Sequence, residues 1–197
     1  PTFEAFKTNA VIISERRAEE RQKADPGYNP DIDPATGLPV EGQYKSGYGS
    51  TSRDVLIPAF LSAYTKTSPE KVTLETFPSA LKMMPNWRLT FDGLSKFPFV
   101  QRAFRTITLS HQYRSTYQIG TYTTNLNYIQ NASGLSDSRD LQGNFIQKYE
   151  INVVTINEQF SPLINVDMNW KSNLTTRFEW KKSRTVSLNL TSNQIAD

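Results

Sequence analysis

The only imidazole in the chain belongs to His111. A histidine titrates near neutrality and can serve as acid, base or metal ligand. Nitrogen–sulfur metal sites need several ligands, however, and the sequence offers no second histidine and no cysteine. His111 also falls among Leu109 and Tyr113 on the mainly apolar side of an alternating run, so a structural role is expected. Asp31-Ile32-Asp33 followed by Gly37 resembles the opening of a calcium loop. It lacks the third acidic ligand and the bidentate glutamate of such loops, and turn formation is the expected use of these residues. Lys181, Lys182 and Arg184 form a basic knot that could hold an anion. Interleaved with polar residues at a strand end, they read as a solvated rim.

No nucleophile elbow, phosphate loop or zinc motif is present. The strand carboxylates are scattered, without a pair spaced for coupled acid–base work. No catalytic residue, cofactor-binding residue or metal ligand is therefore assigned, and neither enzymatic activity nor a cofactor is expected. The charge balance narrows the partners too. Lys plus Arg is 22 against 19 for Asp plus Glu, a net charge of +3. A nucleic-acid binder would carry a dominant basic face, so no nucleic-acid partner is expected. Nor is the chain acidic enough for charge-driven disorder.

Among 197 residues no apolar run approaches the ~18 needed for a membrane helix; Ala10–Ile13 and Val55–Ala59 are far shorter. The mean hydropathy of -0.53 suits a soluble protein. It equally suits membrane strands, where apolar and polar residues alternate and average out. The chain opens Pro1-Thr2-Phe3-Glu4 and closes Asn193-Gln194-Ile195-Ala196-Asp197, which leads us to expect a portion of something longer.

Two halves differ in kind, with an expected boundary near Met84. Residues 1–84 read as helix and loop. Phe3, Phe6, Ala10 and Ile13, three and four apart, predict an apolar helical stripe. The charged run Glu15–Lys23 behind it predicts a solvated face, with Arg16–Glu20 and Glu19–Lys23 spaced for pairing. Residues Asp25–Ser52 hold successive turn signals: Pro26-Gly27, Asn29-Pro30, Asp33-Pro34 and Gly37-Leu38-Pro39. A second helix is predicted with Asp54 as cap, Pro58 near its first turn, and Leu56, Phe60, Leu61 and Tyr64 on one face. A short strand is predicted over Lys71–Phe77, stopped by Pro78.

Residues 85–197 alternate. Ile164, Val166, Met168, Trp170, Leu174, Phe178, Trp180, Val186, Leu188 and Leu190 share one parity, opposed by Asp167, Asn169, Arg177, Glu179 and other polar residues. Period two with such separation means strands with one apolar and one polar face. Lys171-Ser172-Asn173 predicts a three-residue turn with Asn173 left-handed, which pairs Trp170 with Leu174 and keeps both strands in phase. Upstream, Ile107, Leu109, Tyr113, Tyr117 and Ile119 oppose Thr106, Arg114 and their polar neighbours. Phe145, Tyr149, Ile151 and Val153 oppose Lys148, Glu150 and Asn152, and the parity slips at Val153-Val154, as a bulge would cause. Strands are expected near Arg105–Tyr128, Asn144–Glu158, Leu163–Trp170 and Leu174–Ser192, paired as sequential antiparallel neighbours. The Ser-, Asp- and Gly-rich segment Asn131–Gly143 is expected to be a mobile loop.

Several phrases are similar to one family. They are Asp54-Val55-Leu56-Ile57-Pro58-Ala59-Phe60-Leu61, Pro85-Asn86-Trp87-Arg88-Leu89-Thr90-Phe91-Asp92-Gly93-Leu94, and Leu109-Ser110-His111-Gln112-Tyr113-Arg114-Ser115-Thr116-Tyr117. Phe160-Ser161-Pro162-Leu163-Ile164-Asn165-Val166-Asp167, Asn173-Leu174-Thr175-Thr176 and Lys181-Lys182-Ser183-Arg184-Thr185 complete the set. Together they resemble the SprA (Sov) family, the outer-membrane translocon of the type IX secretion system. Asp25–Ser52 carries none of its phrases.

The resemblance implies a late portion of a very large, single-chain transmembrane β-barrel in the outer membrane of a Gram-negative bacterium. Such a barrel passes folded, C-terminally tagged cargo proteins. Its implied partners are the remainder of its own barrel, a partner outer-membrane barrel, a plug protein, secreted cargo and the lipid bilayer. The expected fold is mainly β: antiparallel barrel strands over 85–197, after a helix- and loop-rich lumen or periplasmic segment over 1–84 without spanning strands. Ile107, Leu109, Tyr113, Tyr117 and Ile119, with Ile164 and the residues of its parity through Leu190 named above, would face lipid. Arg114, Lys148, Glu150, Asp167, Asn169, Arg177 and Glu179 would face the lumen. Two alternatives share the alternation: another outer-membrane barrel, such as a receptor or porin, and a soluble β-rich adhesion or binding module.

Overall fold

A computed structural model of the chain describes residues 2–75, 77 and 86–196. The fold is mixed α/β, with 38% of the described residues in strands or bridges, so helices and turns claim more of them than a mainly β reading allows. Among the described residues three helices, α1 (Thr2–Ala24), α2 (Arg53–Thr65) and the short α3 (Pro98–Ala103), accompany seven strands. These are β1 (Trp87–Phe91), β2 (Phe104–Ile119), β3 (Tyr122–Thr124), β4 (Tyr149–Ile151), β5 (Val153–Trp170), β6 (Thr175–Asn189) and β7 (Gln194–Ala196). The antiparallel five-stranded sheet runs β1-β2-β5-β6-β7, and β3 pairs separately with β4. No closed barrel is formed among the described residues.

The contacts divide the chain into two compact units rather than cutting it at one point. Pro1–Pro78, Ile119–Val154 and Leu188–Ala196 form the first; Ser79–Gln118 and Thr155–Ser187 form the body of the second. The expected boundary at Met84 lies outside the described residues.

In the first unit α1 packs on α2. Phe6, Ala10, Ile13, Ser14, Ala18 and Arg21 are all buried, and their three- and four-residue spacing makes one inward face. Phe3, expected in that stripe, is exposed. The charged run is a solvated face in part: Glu15, Glu19, Glu20, Gln22 and Lys23 are exposed, while its arginines turn inward. Arg16 donates to the Pro69 and Val72 carbonyls, and Arg17 donates to the Leu74 and Asp54 carbonyls. The expected pairs Arg16–Glu20 and Glu19–Lys23 are replaced by Arg17–Glu20 and Arg17–Asp54. Buried carbonyls need donors, and these long cations supply them.

α2 is buried on all sides from Val55 to Ala63, wider than the single face expected. Ser52 occupies the N-cap, so Asp54 sits inside the first turn instead of capping it. With its amide turned to satisfy both partners, Gln147 Oε1 accepts from the N–H groups of Arg53 (3.3 Å) and Asp54 (2.6 Å). These are amides that a helix cannot satisfy internally. Burial pushes the Asp54 carboxyl above its ordinary range, and Arg17 pulls it back only in part. A carboxyl raised on folding binds its proton more tightly in the folded state. Its charge therefore opposes folding at neutral pH, and that cost disappears as pH falls through the raised value. Asp54→Asn should unfold at higher denaturant than the wild type at pH 7, with the gap closing toward pH ~3, below the ordinary carboxyl pKa. A wild type that is the more stable at pH 7 would contradict this.

The turn-rich segment is held by its own side chains. Asp33 accepts from Ala35 N and Thr36 Oγ1, and Asp31 pairs with Lys45 at 2.8 Å. Ser14 Oγ donates to the Tyr48 carbonyl and accepts from Lys45 N, tying the loop to α1. No strand forms over Lys71–Glu75. Thr76 of that expected strand, and Pro78 expected to stop it, lie outside the described residues.

Asn131–Gly143 is a loop, built of hydrogen-bonded turns. Asn131 and Asp140 anchor successive tight turns, and Asp137 pairs with the buried Arg21. Phe145 gathers these pieces. The Arg21 guanidinium lies 3.5 Å above its ring, Arg139 approaches to 4.3 Å, and Tyr28 and Tyr48 meet it edge-on.

The strand expectations hold in part. The expected single strand Arg105–Tyr128 breaks after Ile119. Gly120 N–H binds the Val153 carbonyl there, and a Cβ on Gly120 would stand 3.2 Å from that oxygen. The parity slip occurs at Asn152, between β4 and β5, and lets Ile151, Val154 and Ile156 all be buried. The two strands expected on either side of residues 159–162 are one, β5. Its turn into β6 is as expected: Asn173 has φ 65°, and Trp170 N–H donates to the Leu174 carbonyl at 2.8 Å.

Candidate functional surface

Within the second unit the long strands carry two unlike faces. β1 pairs with β2 so that Trp87, Leu89 and Phe91 lie opposite Tyr113, His111 and Leu109. Cross-strand partners share a face, so these six make one apolar field. Trp87 stacks near Tyr113 (4.5 Å between centroids), and Phe160 of β5 meets Tyr113 at 4.8 Å. At the other end of β5, Trp170 packs on Phe104 at 4.1 Å. His111 belongs to this field as a structural residue. Its ring lies against Trp87 and Phe160, and Nδ1, 2.6 Å from the Leu163 carbonyl, must carry the proton because a carbonyl only accepts.

Much of this field is uncovered. Leu89 is 61% exposed, Phe178 56% and Trp180 58%, with Phe91, Ile164 and Leu174 similarly open. Leu109, Tyr117, Val166, Met168 and Trp170 are half-buried, while Ile107 and Tyr113 are buried.

The opposite face is a polar ladder. Asn169 Nδ2 donates to Thr106 Oγ1 (2.7 Å), and Thr175 Oγ1 donates to Asn169 Oδ1 (3.0 Å). Arg177 Nε donates to Asp167 Oδ1 at 2.6 Å, Asn165 Nδ2 donates to Asp167 Oδ2, and Lys181 pairs with Glu179. Arg114, Asn169 and Arg177 are exposed here; between Leu174 and Ser183 nearly every residue of either parity is exposed. That stretch is a wall without a core on either side.

Other residues assigned from parity lie elsewhere. Ile119, Lys148, Glu150, Leu188 and Leu190 belong to the first unit. Glu150 pairs there with Arg53, and Leu188 and Leu190 are buried, as is Val186 of the second unit. Protein atoms fill the space that lipid would need at these three positions. Strand parity gives a residue's face but not what covers it. Trp87, Leu89, Phe91 and Phe160 had not been assigned to the field, although Trp87-Arg88-Leu89-Thr90-Phe91 alternates visibly.

No group of three His, Cys, Asp or Glu residues is placed to hold a metal among the described residues. A groove of about 960 Å³ lies along α1 beside Tyr44 and Leu188, but the charged residues lining it are Lys7 and Lys45, which form no acid–base pair. No described helix is long and apolar enough to cross a membrane. The sequence matches no protein-family model and no curated protein.

Proposed function

We propose that the second unit is a wall segment of a large outer-membrane β-barrel, in a chain that serves a protein-export channel of the type IX translocon kind. One observation carries the membrane part of this reading. The long antiparallel strands present a largely open apolar face and a hydrogen-bonded polar face, with Ile107 and Tyr113 covered on the first and Asn165 on the second. In water a continuous field containing Leu89, Phe91, Ile164, Phe178 and Trp180 is an aggregation liability. Against hydrocarbon the same field costs nothing, and the polar ladder lines an aqueous lumen. β5 and β6 have 18 and 15 residues, roughly 59 and 50 Å at 3.3 Å each. A tilted membrane strand needs only about 9–11 residues.

β1 ends the sheet on one side, and an open strand edge is not tolerated in hydrocarbon. The remainder of the barrel is the partner that closes it. Lipid contact in this reading is confined to the uncovered field, and leaves out Val186, Leu188 and Leu190. The export role rests on the family phrases, of which the described residues Asn86–Leu94, Leu109–Tyr117 and Phe160–Asp167 fall on the two-faced sheet and its flanks.

Deleting the encoding gene separates the readings. The translocon reading expects the protein in the outer-membrane fraction, and cargo with C-terminal export signals retained in the periplasm of the deletion strain. An outer-membrane location with cargo export unchanged would point to another kind of barrel. Recovery of the protein in the soluble fraction would overturn both.

A further inference from the structure

We infer that the β5–β6 turn and the α3 segment together form a docking edge for the headgroup layer of an anionic phospholipid leaflet. The inference rests on the membrane-wall reading and adds where along the strands the bilayer surface lies. Lys171 N–H donates to the Ala103 carbonyl (2.9 Å), and Arg105 Nη2 donates to Asn173 Oδ1 (2.6 Å). The turn and the end of α3 are thereby joined. A 3-10 turn at Gly93–Lys96 leads into α3 and is pinned to β2, with Ser95 Oγ accepting from Ile107 N–H.

This edge has two kinds of surface in one place. Phe97 and Phe99 are stacked 5.7 Å apart and point into solvent, Phe99 being 71% exposed. Trp170 packs on Phe104 and keeps its indole N–H bonded to Thr176 Oγ1 at 3.0 Å. Around them lie four exposed cations: Lys96, Arg102, Arg105 and Lys171. Residues 93–106 and 169–176 contain no Asp or Glu, and Asp92 at the N-cap of the 3-10 turn is the one acid adjoining them in sequence, against four cations. Open phenyl rings beside an excess of cations match the bilayer surface, where acyl chains meet phosphate. The neighbouring wall does not share this composition. Its polar face pairs its charges internally, as in Arg177–Asp167 and Lys181–Glu179.

The test uses the whole chain in vesicles. The chain has three tryptophans, so Trp87→Phe with Trp180→Phe leaves Trp170 alone, and Trp87→Phe with Trp170→Phe leaves Trp180. Lipids brominated near the headgroup should quench Trp170 more than lipids brominated deep in the acyl chain. Replacing Lys96, Arg102 and Lys171 by Gln should weaken binding to phosphatidylglycerol vesicles about fivefold per cation, roughly a hundredfold together. Binding to pure phosphatidylcholine should be unchanged.

Deep quenching of Trp170, or equal loss on both vesicle types, would overturn the inference. If bromine at some depth quenches Trp180 and none reaches Trp170, the wall reading stands and this inference fails. If neither tryptophan is quenched at any depth, both fail together.

Discussion

Gly47→Ala should be among the most damaging single-atom changes in this protein, costing about 2–5 kcal/mol of stability. Gly47 has φ +80°, where an L-residue pays about 1–2 kcal/mol. A Cβ there would also stand 2.2 Å from Phe145 Cε2. Phe145 cannot easily retreat, since Arg21, Arg139, Tyr28 and Tyr48 pack around its ring and its N–H binds the Gly47 carbonyl. Overpacking of that kind adds about 1–3 kcal/mol. Gly37→Ala is the matched control, with φ +69° and nothing within 4 Å of the added carbon. It should show the backbone cost alone. Urea midpoints read through the helical signal measure both, and equal losses at the two glycines would refute the role given to Phe145. A Gly47→Ala, Phe145→Ala double variant should lose less than the two single losses combined, because it removes the clash.

Ile164→Lys should cost about 2–4 kcal/mol in a bilayer, since Ile164 lies six residues, roughly 20 Å of strand, from Trp170 at the headgroup layer. Ile164 shares its face with Val166, Met168 and Trp170, so its replacement would place an ammonium in hydrocarbon. Asn169→Lys should cost under about 1 kcal/mol. Asn169 is exposed on the polar ladder, and its bonds to Thr106 and Thr175 are of a kind worth only ~1 kcal/mol net. Unfolding of the reconstituted chain from vesicles compares the two. A larger loss at Asn169 than at Ile164 would reverse the assigned faces.

Local pattern was legible in the sequence wherever one physical period dominated. The parity of Ile164 through Trp180 gave the two faces, and Asn173 gave the left-handed turn that keeps β5 and β6 in phase. The stripe of α1 was legible too, but its continuation was missed. Positions 17, 18 and 21 continue from Ile13 and Ser14 in helical phase, yet the charge of the run suggested water. Arg17 and Arg21 turn inward because buried carbonyls, Asp137 and the Phe145 ring receive them.

Long-range pairing was the least legible. Residues 131–143 look like a loose polar loop because each of their hydrogen bonds is short-range, while the Arg21–Asp137 pair that anchors them spans 116 residues. Val186, Leu188 and Leu190 have the same parity as Phe178 and Trp180, and only the folded chain distinguishes covered from open. β1 is five residues long, and although it alternates, nothing in so short a run shows which strand it pairs with.

Whether the open face of the wall meets hydrocarbon is tested most directly by solvent access at adjacent positions. A nitroxide placed at residue 168 in one variant and at 169 in another, each reconstituted in vesicles, is relaxed by oxygen and by a water-soluble metal complex. Neighbouring residues of a strand point to opposite sides. Oxygen should dominate at 168 and the polar relaxer at 169. Equal access of the polar relaxer to both positions would contradict the membrane-wall account.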